Sequence, residues 1–446
     1  MKNALNDLNT LLQATPYVGY AYAYPHKTAY RPLDNPIPLQ TLWAKENRDA
    51  LFLYLHVPFC EMRCGFCNLF TTANPKEDLT VLYLQALQRQ AKQVREAVGE
   101  ATFARFAIGG GTPTFLDMAS LETLFDLAHN TFGITSSRIP VSVETSPRTA
   151  ETEKLTLLRE RGVDRISIGI QSFVESEAAT AGRAQKNCWV EAALERIRSI
   201  GFQTLNIDLI YGLPGQTVES WISSLQTALR YTPEELFLYP LYVRPLTGLG
   251  RRNRKQDDIR LACYRAGRDF LLANGYTQVS MRMFTKRSAD SGFGKPDVAF
   301  CCQEDGMVGI GCGSRSYTRE MHYSNEYAVG ATGVRTILHD YVRQPDAAFA
   351  VAAYGFALDA EEQRRRYLIQ SLLQVSGMDL AAYHSHFGTD VLADFPQLSE
   401  LEEAGLANRD RCALTLTEEG IAYSDMIGPW LYSPAVHSRM DAYELH

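Results

Sequence analysis

The 446-residue sequence lacks the features that mark membrane, secreted and nucleic-acid-binding proteins. It has no run of about 18 apolar residues, and its N-terminal stretch carries Asn and Asp where a signal peptide needs an apolar segment. The 51 Asp and Glu outnumber the 44 Lys and Arg, so the net charge of −7 argues against a nucleic-acid partner. Nine cysteines, an odd number, do not suit a disulfide framework. We therefore expect a cytoplasmic protein with no membrane insertion and no nucleic-acid partner.

Three cysteines stand out by their spacing. Cys60, Cys64 and Cys67 form a CxxxCxxC pattern just beyond an apolar run that predicts a strand, residues 51–57. Four thiolates would close the coordination of a cubane iron–sulfur cluster, whereas three leave one iron open for another ligand. A zinc site or a chance grouping of thiols are the alternatives, but zinc would usually need a fourth Cys or His nearby. The spacing favours a redox cluster.

Short apolar strands alternate with amphipathic helical stretches through residues 51–284. Six strands are predicted, at residues 51–57, 104–110, 139–145, 165–173, 204–212 and 235–241. Gly201 is a predicted helix C-cap and Thr217 a predicted N-cap. Such βα units predict an α/β fold with a parallel sheet, either open or curved as a partial (β/α)6 barrel. In a barrel, the chemistry collects at the carboxyl ends of the strands.

The ends of the first five predicted strands carry either glycine turns or polar residues. The cysteine pattern follows the first strand, and a run of three glycines that includes Gly110 and Gly111 follows the second. The other candidates at these ends are Thr112, Glu144, Gln171, Arg183 and Asp208. A turn or a cap would explain any one of them. Their recurrence at successive strand ends favours a single site.

Several motifs together carry a resemblance to a known family. HVPFCEMRCGFC, GGGTPT, GIQSF and NIDLIYGLPGQT resemble those of radical S-adenosylmethionine (SAM) enzymes. The branch they resemble is the oxygen-independent coproporphyrinogen III oxidase-like (HemN-like) one, which also contains heme chaperones and radical methyltransferases. EDGMVGIGCGSRSY is similar to the branch's glycine-rich segment, and residues 361–432 are similar to its C-terminal helical, winged-helix-like domain.

The resemblance implies the cofactors and their contacts. A 4Fe-4S cluster would be held by Cys60, Cys64 and Cys67, and SAM, one molecule or two, would bind beside it. An electron from a donor such as flavodoxin or ferredoxin would cleave SAM to a 5′-deoxyadenosyl radical, which abstracts hydrogen from a small or medium organic substrate. The implied SAM contacts are Tyr54 beside the cluster, Phe66 on the adenine, Gly110, Gly111 and Thr112 on the methionyl end, Glu144 and Arg183 on its amino and carboxylate groups, and Gln171 and Asp208 on the ribose.

One departure from the family pattern narrows the expected function. The true coproporphyrinogen oxidases of the branch carry a further cysteine two residues after the third ligand, and here that residue is Leu69. We therefore do not expect coproporphyrinogen III decarboxylation. A radical SAM oxidoreductase or methyltransferase, with methyl or methylene transfer as its reaction, is the leading hypothesis. The alternative is a heme-binding carrier of the same branch.

The expected domains are a Tyr-rich arm (1–50), the barrel (51–284), a segment covering the barrel's open end (285–345) and a C-terminal helical, winged-helix-like domain (346–446). The tyrosines of the arm either pack on the main body or, together with His26, line a substrate cavity.

Several further residues are weaker candidates for a role in the site. Arg315 and His322 are candidate substrate contacts. His384 and His386, at strand spacing, are expected to be structural, and so are the buried thiols of Cys301, Cys302 and Cys312. The basic run Arg251, Arg252, Arg254 and Lys255 is expected to be a solvated loop, and the alternative is a site for carboxylates or a phosphate at the cavity mouth.

Overall fold

The computed structural model describes residues 8–135, 139–252, 258–286 and 300–445. Within these residues the strands are β1 (Arg31–Pro38), β2 (Leu51–Val57), β3 (Phe59–Cys60), β4 (Thr72–Ala73), β5 (Phe103–Gly110), β6 (Val141–Thr145), β7 (Arg165–Gln171), β8 (Thr204–Tyr211), β9 (Glu235–Pro240), β10 (Tyr276–Gln278), β11 (Met283–Lys286), β12 (Met307–Ile310), β13 (Arg315–Tyr317), β14 (Met321–Ser324), β15 (Val351–Ala357), β16 (Met378–Asp379), β17 (Ala407–Arg409) and β18 (Ala413–Leu416).

The helices of the described residues are α1 (Leu8–Leu12), α2 (Leu39–Trp43), α3 (Glu77–Val98), α4 (Met118–Phe132), α5 (Thr152–Glu160), α6 (Glu175–Thr180), α7 (Asn187–Ile200), α8 (Val218–Leu229), α9 (Arg260–Ala273), α10 (Ala331–Arg343), α11 (Ala360–Leu372), α12 (Leu380–Phe387), α13 (Val391–Asp394), α14 (Leu398–Glu403), α15 (Glu418–Ala422), α16 (Ser424–Trp430) and α17 (Pro434–Asp441). None of these helices combines the length and the apolar character needed to cross a bilayer. Of the predicted basic run, Arg251 is exposed, while Arg254 and Lys255 lie outside the described residues.

Six parallel strands form the centre of the molecule. They lie side by side in the order β2-β5-β6-β7-β8-β9, each in parallel register with the next. Their apolar residues are buried on both faces; in β8, for example, Leu205, Ile207 and Leu209 on one face are fully buried and Ile210 on the other nearly so. The α/β fold and its six predicted parallel strands are confirmed.

The predicted helix ends in this region are also confirmed. Thr217 caps α8, because its side chain accepts a hydrogen bond from the Ser220 amide in a capping box. Gly201 ends α7 in the left-handed conformation at φ 78°. Because the six strands are parallel, the five strand ends that carry the candidate site residues lie at one edge of the sheet.

The sheet continues on both sides of the parallel strands instead of closing on itself. Its order is β1-β15-β14-β13-β12-β2-β5-β6-β7-β8-β9-β11-β10 in the described residues, and β12 pairs parallel with β2. Strands β12 to β14 belong to the segment expected to cover the barrel's open end, and they extend the sheet at its β2 edge. β1, from the predicted arm, pairs with β15 as an edge strand.

The arm packs on the body with part of its aromatic residues only. Tyr17, Tyr24 and Tyr30 are buried, whereas Tyr20 and Tyr22 keep accessible surface. The Gly19 amide donates to the Asp425 carbonyl oxygen at 3.1 Å, so the C-terminal region fixes this part of the arm. The packing interpretation is therefore confirmed for Tyr17, Tyr24 and Tyr30, and the lining of a substrate cavity by the other tyrosines and His26 stays a prediction.

The C-terminal region combines short helices with a hairpin. α14, the β17–β18 hairpin and α15 follow in that order, and the Thr417 side chain caps α15. His384 and His386, whose two-residue spacing is typical of a strand, both lie on helix α12. Asp379 caps the start of that helix and Gly388 ends it in the left-handed conformation. The two capping residues decide the local structure, and the spacing of the histidines does not.

Candidate active site

The cysteine loop follows β2 and is held by backbone contacts. The Gly65 amide donates to the Ala181 carbonyl oxygen at 3.0 Å, and the Gly65 carbonyl accepts from the Leu249 amide at 2.7 Å. A side chain at Gly65 would meet the Ala181 oxygen at 2.6 Å. The loop therefore lies tightly between the segments that follow β7 and β9, which fixes the direction of its three thiols.

Each of the three half-buried thiols has one polar neighbour. The Thr112 hydroxyl donates to Cys60 Sγ at 3.7 Å, Cys67 Sγ lies 3.7 Å from the Thr71 hydroxyl, and Arg183 Nη1 donates to Cys64 Sγ at 3.3 Å. Burial, and then the neighbouring thiols, raise the pKa of Cys60 to about 12 and also raise the pKa of Cys67. Without a bound metal the Cys60 and Cys67 thiols stay protonated at neutral pH, since thiolates grouped here need positive charge to offset them.

The donor set suits a cluster better than a single ion. Among the described residues, no three Cys, His, Asp or Glu side chains converge on a point where one metal ion would bind. In a cubane cluster each thiolate binds a different iron, so the sulfur atoms stand farther apart than around one zinc. The three thiols nevertheless act on one another electrostatically. They fit a cluster held by three cysteines.

The glycine turn after β5 brings the backbone against the cysteine loop. A Cβ on Gly111 would lie 2.5 Å from the Phe59 carbonyl oxygen and 2.9 Å from Cys60 Sγ. Gly110 has φ 113°, and a Cβ there would meet the His56 ring at 2.4 Å. Only glycine fits at both positions. The turn thus presents peptide groups, instead of side chains, next to the first cysteine.

Two carboxyl groups near the ends of β6 and β8, Glu144 and Asp208, form no ion pair with the residues that the structure describes. Glu144 accepts a hydrogen bond from the Gly110 amide at 3.0 Å, and its side chain keeps accessible surface although protein atoms surround it. Burial and then the nearby Asp208 charge raise the pKa of Glu144 to about 7. Burial raises the pKa of Asp208 to about 6, although Asn206 and Ser167 donate hydrogen bonds to it. The pair would gain from a cationic ligand such as an ammonium or sulfonium group.

Gln171 and Arg183 lie at the end of β7. Gln171 has φ 72° at an irregularity in the β7–β8 pairing, a strained conformation for this residue type. Its amide lies 2.7 Å from where a Cβ on Gly169 would be. Arg183 Nη2 donates to the Gly169 carbonyl at 2.5 Å while Nη1 reaches Cys64. The end of β7 therefore connects the cysteine loop to the cavity.

Aromatic side chains complete the site. Tyr54 on β2 places its hydroxyl 3.3 Å from His56 Nδ1, and burial followed by the Glu144 charge holds its pKa well above the usual value. Phe66 packs on a small apolar cluster that follows β8 and β9: Ala181, Ile210, Leu213, Leu241, Leu249 and Tyr239. The site thus has one apolar wall and one acidic wall.

The structure separates the other two predicted substrate contacts. Arg315 donates to the Tyr22 hydroxyl at 2.9 Å, and its side chain keeps accessible surface. His322 is fully buried between Tyr317, at 4.3 Å between ring centroids, and Arg366, so it has no surface open to a substrate. Arg315 and Tyr317 are two residues apart on β13, and Tyr317 pairs with His322, so all three lie on one face of the sheet. His322 differs from Arg315 because Tyr317 and Arg366 cover it.

Sequence reasoning missed some residues of the site. Asn206 and Ser167 hold Asp208, and Asn206 stands two residues before it on the same face of β8, a spacing that a period-two reading finds. Tyr239, at the end of β9, could have been found from the same period-two pattern on its strand. Asp425 pairs with buried Arg282 beneath the arm, and nothing in the local sequence indicates that pairing.

Comparison with known proteins agrees with this arrangement. The model of the Radical SAM superfamily matches residues 54–228, and that of the HemN C-terminal domain matches residues 358–423. The heme chaperone HemW of Bacillus subtilis is 28% identical over 381 residues, which cover 82% of this chain and 95% of that protein. The oxygen-independent coproporphyrinogen III oxidase of Escherichia coli is 27% identical over 394 residues, 84% of each chain.

A solved structure shows the same fold. The structure of E. coli coproporphyrinogen III oxidase (HemN) matches with a TM-score of 0.77 at 24% identity, over 95% of this chain and 98% of that one. The superfamily model spans the cysteine loop and the strand ends described above. The chain therefore contains a radical SAM domain and a HemN C-terminal domain, and it is homologous to HemN and HemW. Members of the radical SAM superfamily bind a 4Fe-4S cluster and SAM.

Proposed function

We propose that this protein is a radical SAM enzyme that abstracts hydrogen from an organic substrate, with methyl or methylene transfer as its reaction. The observation that carries the proposal is the meeting of three thiols and two unpaired carboxyl groups at one edge of a parallel sheet. A sheet edge of this kind is where α/β proteins place their chemistry.

Cys60, Cys64 and Cys67 would hold the cluster and leave one iron open. When bound and reduced, the cluster supplies the electron that cleaves SAM to methionine and the 5′-deoxyadenosyl radical. The chain itself binds and orients the reactants and excludes water. The tight packing of the loop against Ala181 and Leu249 supports that role, because it limits movement of the thiols.

The groups around the loop suit the parts of SAM. Glu144 offers a carboxylate to the amino group, and Arg183 offers a guanidinium to the carboxylate beside Cys64. The backbone at Gly110, Gly111 and Thr112 would take the methionyl end. The remaining proposed contacts are Gln171 and Asp208 to the ribose hydroxyls, Phe66 to the adenine and Tyr54 beside the cluster.

The test is product analysis after anaerobic reconstitution. Reconstituted protein reduced with dithionite in the presence of SAM is expected to form 5′-deoxyadenosine, and formation of S-adenosylhomocysteine as well would indicate transfer with a second SAM. Cys64→Ala is expected to lose both, whereas Cys188→Ala, an exposed thiol on α7, is the matched control and keeps them. Absence of 5′-deoxyadenosine with dithionite and with reduced flavodoxin or ferredoxin would refute the proposal.

A heme-binding carrier is the second candidate, and the match to the heme chaperone HemW over 95% of its length favours it. This candidate predicts a Soret shift when heme is titrated into the reconstituted protein, and an unchanged Soret band counts against it. The oxidases matched in the comparison suggest a third activity. Because Leu69 replaces the further cysteine, we expect no carbon dioxide from coproporphyrinogen III.

A further inference from the structure

Three cations surround the arm residues that face the cavity. Arg315 donates a hydrogen bond to the Tyr22 hydroxyl at 2.9 Å, with its guanidinium 4.8 Å from the centre of the Tyr22 ring. Lys27 Nζ lies 3.7 Å from the centre of the Tyr327 ring, and the Arg244 guanidinium lies 5.7 Å from that of Tyr242. The three positive groups therefore rest on aromatic faces.

These cations have no acidic partner. Among the residues that the structure describes, no carboxylate lies within ion-pair distance of Lys27, Arg244 or Arg315. The groups that act most on Arg315, which protein encloses, are the phenols Tyr22, Tyr317 and Tyr30. Keeping an enclosed cation without a counter-charge is costly, and an apolar residue would pack there at lower cost. The arrangement therefore points to a ligand that brings the missing negative charge.

The three cations lie near one another and near the candidate active site. Burial lowers the pKa of His26 well below its usual value, and the charges of Lys27, Arg244 and Arg315 lower it further. Burial raises the pKa of Tyr22, but Arg315 and Lys27 outweigh this effect, so its pKa is below the usual value. Arg315 also acts electrostatically on Tyr54, and so does Glu144. Arg315 thus lies close enough to both Tyr54 of the candidate site and Tyr22 of the arm to act on each of them.

We propose that Lys27, Arg244, Arg315 and the Tyr22 hydroxyl form a subsite for an oxyanion of the substrate, a carboxylate or a phosphate group. This inference rests on the proposed function, because it assigns part of the same active site to the substrate. The guanidinium and the phenol supply directional hydrogen bonds, and Lys27 and Arg244 supply charge. The subsite holds the anionic end of the substrate under the arm, so that the remainder extends toward the cysteine loop.

The test measures anion binding without relying on turnover. Succinate, inorganic phosphate and, as a neutral control, succinamide are titrated calorimetrically into the reconstituted holoenzyme with saturating SAM, at constant ionic strength. One site is expected for succinate or for phosphate and none for succinamide; the tighter of the two anions identifies the chemical source. Arg315→Gln is expected to weaken binding about tenfold or more, the value of a charged hydrogen bond. Arg335→Gln, an exposed arginine on α10, is the matched control and keeps wild-type affinity.

Lys27→Gln is a second variant, which keeps the test decisive if Arg315→Gln does not fold, as judged by circular dichroism and iron content. Unchanged binding in folded variants, absence of binding for both anions, or displacement of the anion by SAM would each overturn the subsite. The same samples are assayed for 5′-deoxyadenosine from SAM. Its absence with intact anion binding refutes the proposed function alone, and its presence without anion binding refutes the subsite alone.

Discussion

At the scale of single residues, the site depends on positions where a side chain has no room. Gly111 is the clearest case, because its backbone lies against both the Phe59 carbonyl and the first cysteine. The identity of a residue that touches the cluster loop is therefore set by the space that the loop leaves. Two predictions belong to this scale.

Gly111→Ala is expected to lose most of its bound iron after reconstitution, because the new methyl group would lie 2.9 Å from Cys60 Sγ and 2.5 Å from a backbone oxygen. Gly133→Ala is the control. A Cβ at Gly133 meets nothing within 4 Å, but its φ of 69° makes alanine strained, at about 1–2 kcal/mol. The control should lower the unfolding free energy and keep the iron. Full iron content in Gly111→Ala would contradict the prediction.

SAM affinity is expected to increase as the pH rises through 7. The pKa of Glu144 is raised to about 7 by burial, so the carboxylate that we propose to pair with the SAM ammonium forms only as the proton leaves. Glu144→Gln should remove this dependence. Asp208→Asn should remove only a step nearer its own pKa of about 6. Equilibrium binding of SAM between pH 5.5 and about 8.5 covers both pKa values. Equal slopes for wild type and Glu144→Gln would count against the assignment.

The same carboxyl group also affects stability in a definite direction. Because its pKa is higher in the folded than in the unfolded state, the folded protein binds more protons between the two pKa values. Its contribution to stability is present below the unfolded pKa and is lost as the pH rises through about 7. A bound ammonium group would restore it, so SAM should stabilise the protein most at the higher pH.

At the scale of elements, one buried ion pair helps to fix the arm on the body of the protein. Arg282 and Asp425 pair with side chains 7% and 1% exposed, and the Arg282 guanidinium also lies 3.6 Å from the centre of the Tyr20 ring. The pair therefore connects the residue before β11 with helix α16 and with the arm. Removing one partner leaves a buried charge without compensation.

Asp425→Ala is expected to lower the unfolding free energy by about 3–5 kcal/mol, the cost of an unpaired buried charge. Glu418→Ala removes the 72% exposed partner of Arg268 and should cost less than about 1 kcal/mol. Urea denaturation of the two variants measures the difference. Similar losses in both would show that the Arg282 pair is no stronger than a surface contact.

The elements also show which parts of the fold could be predicted from the sequence. The strands β2 and β5 to β9 are predictable because each is an apolar run buried on both faces. The candidate site residues could be predicted because they lie at the ends of these strands. The extension of the sheet by β12 to β15 and β1 could not be predicted, because short strands with long-range pairing leave little pattern in the local sequence. Arg315 was a candidate on its position alone. Its lack of an acidic partner depends on where the arm folds, which no spacing in the sequence encodes.

At the scale of the whole molecule, the two ends of the chain share a buried polar network. Tyr24 donates to the Glu362 carboxylate, which also accepts from Ser433 Oγ at 2.6 Å, and the Ser433 amide donates to the Tyr24 hydroxyl at 3.3 Å. Glu362 lies in the first turn of helix α11, in the C-terminal region. The arm and that region are therefore expected to open together.

Glu362→Gln is expected to accelerate amide hydrogen exchange both in the arm, residues 14–30, and in residues 360–433, because it weakens charge-assisted hydrogen bonds that join them. Glu361→Gln is the neighbouring control; that side chain is 60% exposed and pairs only with Arg365 among the ion pairs of the described residues. Mass-spectrometric exchange of the intact protein gives both regions in one experiment. Faster exchange confined to one of them would show that they open independently.

The Tyr24–Ser433 contact has a consequence for biosynthesis. The two residues are 409 positions apart, so the arm leaves the ribosome long before its partner. At about 5–20 residues per second, Tyr24 waits roughly 20–80 s for Ser433 to be synthesised. The cysteine loop and all six parallel strands are synthesised during that interval. The arm therefore reaches its final position only after the strands that carry the candidate site residues have been made.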